Sequence, residues 1–265
     1  LTFSFLYGII YIVKRKSVAL KGENEMNISE YIKKYEETEQ YRVIMNTIKQ
    51  DHYSYCGDTI YDEEILDRML KEVNDISSED DIDYANGATK VVIIYNEIVI
   101  KKTFTGYIDF SAEGDEVELI DYDMKNQDSY DYSPDYCALE SVVYEEAFLK
   151  GLQDFFAEVI QVSKNVYAQL RTDHTLSGFF LIEDLGLTKI DVEEIREEYG
   201  FEPLIPDYAI AWWFIHKTSE HLQTFSDFLY DHKINDLHSS NIGFFNGEIK
   251  LFDYSGYNSG TENTF

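Results

Sequence analysis

The dipeptide Asn246-Gly247 sits between two β-rich runs, Ile242-Gly243-Phe244-Phe245 and Glu248-Ile249-Lys250-Leu251-Phe252. Asn-Gly accepts the positive φ angles of a type I′ turn, whose twist matches that of two antiparallel strands, so the segment is restricted to a tight hairpin. Pairing outward from the turn sets Phe245 opposite Glu248 and Asn241 opposite Phe252, and Asp253 then emerges beside Asn241. A carboxylate and an amide oxygen at one end of a hairpin form a hard-oxygen pair suited to Mg²⁺, which keeps waters or phosphate oxygens as its other ligands. Asp236, five residues before Asn241 on the entering loop, is placed to orient or deprotonate an attacking hydroxyl.

The charge balance limits what this site can act on. The 265 residues carry 51 Asp+Glu against 22 Lys+Arg, a formal net charge of −29. Such a chain repels nucleic acid and anionic membrane surfaces, because binding either requires Lys or Arg to displace counterions. A polyanion such as a nucleoside triphosphate is expected only in a local pocket where a few Lys and a divalent metal reverse the sign. Hydrophobic residues at 44%, aromatics at 15% and only 3 Pro indicate a packed globule, so the acid lies on a folded surface. Cys56 and Cys137 match neither a zinc spacing nor a disulfide framework, which points to buried free thiols and a cytoplasmic setting.

Upstream, helical and β-type periods alternate. Asn27-Ile28-Ser29-Glu30 reads as a capping box ahead of Ile28, Tyr31, Ile32 and Tyr35, and Asp62 to Val73 is a second amphipathic stretch. Ser77 to Asp83 reads as an acidic turn ending at Asn86-Gly87. Val91 to Tyr95 and Ile98 to Phe104 then read as strands joined by a turn at Asn96-Glu97. Ser111 to Tyr136, with nine Asp/Glu against one Lys, reads as a solvated insertion. Glu140 to Phe156 is expected to be a helix, Glu158 to Val162 and Asn165 to Leu170 strands, and Ile190 to Glu198 and Pro206 to Tyr230 helices. The Trp212-Trp213-Phe214 cluster of the last helix reads as core.

In this setting the sequence resembles the protein-kinase-like superfamily. Asp236…Asn241 and Asp253-Tyr254-Ser255-Gly256 are similar to its catalytic loop and D-F-G triplet, and Asp236-Leu237-His238-Ser239-Ser240-Asn241 looks more like the aminoglycoside-phosphotransferase branch. Val99-Ile100-Lys101 is similar to the V-A-I-K strand, and Gly87-Ala88-Thr89-Lys90 stands where the glycine-rich loop is expected. The overall makeup is similar to small kinase-like proteins encoded by phages and mobile elements of bacteria.

The resemblance implies an α+β, bilobal fold: a helical preamble over 26–83, an N-lobe over 84–172 with the acidic insertion 111–136, and a shortened, mostly helical C-lobe over 173–265. It implies ATP and Mg²⁺ as cofactors and transfer of the γ-phosphoryl to a hydroxyl of a protein Ser/Thr or a small molecule. Gly87, Ala88, Thr89 and Lys101 would bind the nucleotide, Asp236 would act as base, and Asn241 with Asp253 would hold the metal. The Glu that steadies Lys101 is one of Glu140, Glu145 and Glu146. Glu140 is preferred because about three helical turns follow it before Gly151. His238 is expected to pack or orient the loop.

The departures from the pattern define a rival reading. Gly87 is the only glycine in its loop, Ile234 stands two residues before Asp236, and Tyr254-Ser255 replace Phe-Gly. A chain with these features could instead be a pseudokinase-type binding module that engages a basic protein partner through its acidic surface. ATP binding without phosphate transfer would identify it.

Residues 1–25 stand apart. Leu1 to Val13 is apolar and is followed by Lys14, Arg15 and Lys16, the reverse of a secretory signal and too short to span a bilayer at 1.5 Å per residue. It reads either as a truncated anchor or as non-native sequence. The second reading follows from Lys21-Gly22-Glu23, whose codons could form a ribosome-binding sequence ahead of Met26.

Overall fold

The computed structural model describes residues 26–55, 59–60, 63–86, 89–109, 117–172, 219–234, 241–245 and 248–254. It is a mixed helix and sheet structure, as expected at the level of fold class. The chain divides into two units, one of Met26–Val142 with Glu158–Arg171, the other containing Val143–Ala157 and the chain from Thr172 on.

Three helices open the first unit. In α1 (Ile28–Tyr35) the expected capping box is present: Asn27 Oδ1 accepts from Glu30 N at 3.0 Å, and Glu30 Oε2 accepts from Asn27 N at 2.8 Å. In α2 (Glu39–Ile48), Thr38 caps the N-terminus by accepting from Tyr41 N at 3.2 Å, and Tyr41, Ile44, Met45 and Ile48 form one buried stripe. In α3 (Glu63–Ile76), Leu66, Met69 and Val73 are buried.

The main sheet has the order β3-β4-β5-β9-β8, all neighbours antiparallel: β3 (Ile82–Asn86), β4 (Lys90–Tyr95), β5 (Ile98–Thr103), β8 (Val159–Ser163) and β9 (Val166–Leu170). The β4–β5 turn falls at Asn96-Glu97 as expected, with Asn96 at φ +50°. Asn165, at φ +57°, turns β8 into β9. Alternation gives the sheet two unlike faces. Val91, Ile93, Tyr95, Ile98, Ile100 and Ala168 are buried on one face, where α2 packs on β4 and β5 and α1 on β9. The Tyr35 and Tyr95 rings meet there edge to face at 5.0 Å. The opposite face carries Lys90, Val92, Val99, Lys101, Thr103 and Gln169.

A second sheet, of order β2-β1-β6-β7, comprises β1 (Tyr53–Tyr55), β2 (Thr59–Ile60), β6 (Gly106–Asp109) and β7 (Glu118–Asp121), with β1 and β6 parallel. Gly106 permits the close β6–β7 approach, since a Cβ there would lie 1.9 Å from the Ile120 carbonyl oxygen.

Four expectations are corrected. The acidic turn stops before Ile82, because alternation through Ile82 to Asn86 lets the segment pair with β4 despite Asp83. The acidic insertion contains β7, recruited by pairing with β6. The preamble contains strands β1 and β2 and the further helix α2. The helix expected over Glu140 to Phe156 is α4 (Tyr136–Leu149). It ends at Gly151, φ +73°, in a Schellman motif in which Leu152 N donates to Ala147 O at 2.8 Å and Gly151 N to Phe148 O at 3.1 Å.

In the second unit a 3₁₀ turn (Gln153–Phe155) leads into a segment that runs beside the C-terminal hairpin of β10 (Ile242–Phe245) and β11 (Glu248–Leu251). Ala157 N donates to Leu251 O at 2.8 Å and Lys250 Nζ to Asp154 O at 2.6 Å. Helix α5 (Ser219–Asp231) supplies Phe225, stacked on Phe155 at 4.5 Å, and Phe228, edge-on to Phe156 at 5.6 Å. The expectations for Ile190 to Glu198, Pro206 to Thr218 and the Trp212-Trp213-Phe214 cluster lie outside the described residues. Among the described residues no helix is long and apolar enough to cross a membrane.

Candidate active site

Lys101 lies on the third strand of the main sheet in chain order, and β-alternation turns it away from the apolar face that α1 and α2 cover. Its neighbour Lys102 turns the opposite way and donates to the carbonyl of Gln50, just past the C-terminus of α2, at 2.5 Å. Burial of the Lys102 ammonium holds its pKa below the usual lysine value. Two adjacent lysines thus serve opposite sides of one sheet.

The partner of Lys101 is Glu140. The Lys101 ammonium forms an ion pair with Glu140 Oε2 and donates to Gln169 Oε1 at 3.0 Å. Lysine 101 is 3% exposed and Glu140 fully buried. Glu145 and Glu146 are exposed, and Glu146 instead pairs with His232 at 3.2 Å. The helical period explains the choice, since Glu140 lies on the turn of α4 that meets the sheet and the other two are rotated away. Glu140 Oε1 in turn accepts from Lys90 Nζ at 2.5 Å, so one carboxylate joins ammonium groups from two neighbouring strands.

The start of α4 is tied to the same strand. Asp135 caps the helix by accepting from Ala138 N at 3.1 Å, and Thr103 Oγ1 donates to Asp135 Oδ1 at 2.8 Å while accepting from Cys137 N at 3.1 Å. These bonds set the first turn of α4 and with it the height at which Glu140 meets Lys101. Burial pushes the Cys137 thiol up to about 12, so it remains protonated in the fold.

No family model, curated protein or solved structure matches this chain.

The hairpin of the second unit has the expected strand register. Phe245 pairs with Glu248 and Ile242 with Leu251, and Phe252 N donates to Asn241 O at 3.0 Å, which carries the ladder one step past the strands. Asn241 and Asp253 therefore end the two arms of one hairpin. Tyr254 anchors that end: its ring packs on Phe156 at 4.9 Å, and its hydroxyl donates to Ala157 O at 2.6 Å. The hydroxyl explains how tyrosine stands in a buried position next to Asp253. Among the described residues no group of three or more His, Cys, Asp or Glu is arranged to hold a metal. Asn241 and Asp253 are the residues at this end that could offer an amide and a carboxylate oxygen to Mg²⁺, a cation bound through few protein ligands with phosphate and water completing its shell.

Thr89 is a half-buried bend residue before β4, and its carbonyl accepts from Phe104 N at 3.1 Å. Gly87, Ala88, Asp236 and His238 lie outside the described residues. Sequence reasoning overlooked Lys90 and Gln169 as members of the Lys101 cluster. Lys90 carried one usable signal, its position opposite Thr103 once β4 and β5 are paired. Gln169 carried none, because β9 joins β5 across a long stretch of chain.

Proposed function

We propose that this protein is a phosphotransferase of the protein-kinase-like type, bilobal in architecture and cytoplasmic, using ATP and Mg²⁺ to phosphorylate a hydroxyl of a protein Ser/Thr or a small molecule. The observation that carries the reading is the buried ion pair between Lys101, on the third strand of an antiparallel sheet, and Glu140, on the helix that follows in that unit. Kinases require this strand-lysine and helix-glutamate pair to be in place for phosphoryl transfer.

In this reading Lys101, oriented by Glu140 and Gln169, binds the α- and β-phosphates as a point charge. Asn241 and Asp253 would hold Mg²⁺, which would supply positive charge to offset that of the phosphates. Asp236 accepts the proton as the acceptor oxygen bonds to the γ-phosphorus. The bond from that phosphorus to the bridging oxygen breaks, and ADP leaves. Most of the rate gain comes from positioning and fixed charge. The buried free thiol of Cys137 fits a reducing compartment.

A thermal shift with ATP, with and without Mg²⁺, tests the reading, because a ligand at a hundred times its Kd stabilises by about 2.7 kcal/mol. A Mg²⁺-dependent shift lost in Asp253→Ala, together with phosphate transfer from labelled ATP lost in Asp236→Ala, is the expected result. Absence of any nucleotide-dependent shift overturns it. A shift without phosphate transfer replaces the enzyme by a nucleotide-binding interaction module.

A further inference from the structure

Lys90 is the first residue of β4 and directly follows the loop that holds Gly87. The β4–β5 register sets Lys90 opposite Thr103 and Val92 opposite Lys101, so the two lysines share a sheet face on adjacent strands. Their side chains are 4% and 3% exposed, and their ammonium groups bind the two different oxygens of Glu140. Glu140 thus supplies one negative charge to two ammonium groups.

Because both ammonium groups contact one carboxylate, they are held close together. An anion that reaches Lys101 on this face therefore also meets Lys90. The sequence also gives a reason for a second cation. With a single glycine, Gly87, the loop before Lys90 is poor in the glycines that let backbone N–H groups close around phosphates. A chain of net charge −29 needs local positive charge to hold a polyanion.

We propose that Lys90 is a second phosphate-binding lysine, which acts with Lys101 on the polyphosphate of a nucleoside triphosphate while Glu140 holds both ammonium groups in position. This inference rests on the phosphotransferase reading and adds a residue to its binding site.

An acyl phosphate of ATP tests it on the full-length wild-type chain. A lysine amine close to the phosphates attacks the acyl carbonyl, an amide forms, and ATP leaves with release of the proton, so peptide mapping identifies the lysines at the phosphates. Acylation of both Lys90 and Lys101, suppressed by excess Mg·ATP, is expected. Acylation of Lys101 without Lys90 overturns the proposal and leaves the phosphotransferase reading standing. Acylation of neither removes both. Calorimetric titration with Mg·ATP then gives the size of the effect: Lys90→Met is expected to raise Kd by about tenfold or more, the loss of one charge-assisted contact, with little change in adenosine binding. A Kd for ATP equal to that of wild type, or equal losses for ATP and adenosine, would also overturn the proposal.

Discussion

Lys101 and Glu140 form a buried ion pair that ties the third strand of the main sheet to the N-terminal half of α4. The second oxygen of Glu140 binds Lys90, so one carboxylate links β4, β5 and α4 at this point. Removing it leaves two buried ammonium groups without that partner. Glu140→Ala is expected to lower stability by about 3–5 kcal/mol, read as a drop in the urea midpoint at unchanged slope. Glu140→Gln should cost less, because its amide oxygen still accepts from one lysine. An alanine variant within about 1 kcal/mol of wild type would show that water reaches both lysines.

Gly106 has no room for a side chain. A Cβ at this position would overlap the Ile120 carbonyl at 1.9 Å, and the obstacle is backbone, which cannot rotate aside. Gly106→Ala is expected to cost about 3 kcal/mol and to expose β7 to hydrogen exchange before the main sheet. Equal protection of β7 in the variant and the wild type would refute this.

Alkaline pH should weaken the fold through Cys137. Burial raises its thiol to about 12 in the native state, against about 8.5 in an unfolded chain. Below the unfolded value both states are protonated and nothing is lost. Above it the unfolded state releases the proton and the native state keeps it, so stability falls by about 1.4 kcal/mol per pH unit until the native pKa is reached. Cys137→Ser should flatten this part of the pH–stability curve. At pH 8 maleimide should modify Cys137 only at the rate of unfolding.

Lys233 ends α5 in the left-handed region at φ +54°, with Lys233 N donating to Tyr230 O at 3.0 Å and Ile234 N to Leu229 O at 2.9 Å. This is a Schellman motif without its usual glycine. Lys233→Gly relieves the strain and is expected to stabilise by about 1 kcal/mol, or about 2–4 °C in Tm, despite the greater freedom of glycine in the unfolded chain. A lower Tm would mean that the lysine side chain contributes more than its backbone costs.

Much of the local structure was legible. The Asn27 capping box, the Asn96-Glu97 turn and the register of the C-terminal hairpin depend on residues within a few positions of one another, and all are found where the residues direct them. The short strands β1, β2 and β7 were not legible. They are two to four residues long, and β1 and β7 owe their place to pairing with β6 rather than to a run of their own. Within the site, Lys101 stood out by its strand, whereas Lys90 was hidden because β4 begins one residue before its apolar run.

By itself the sequence determined the periods, caps and turns, and placed Lys101, a set of helix glutamates, Asn241 and Asp253 in their order along the chain. Strand alternation required Lys101 and Lys102 to lie on opposite faces. Which face received α1 and α2 and which received Glu140 was decided only by tertiary packing. The choice of Glu140 over Glu145 and Glu146 was decided in the same way. Such choices depend on burial and charge pairing between segments far apart in the chain, and the free energy of those contacts exists only once the helices and the sheet have met.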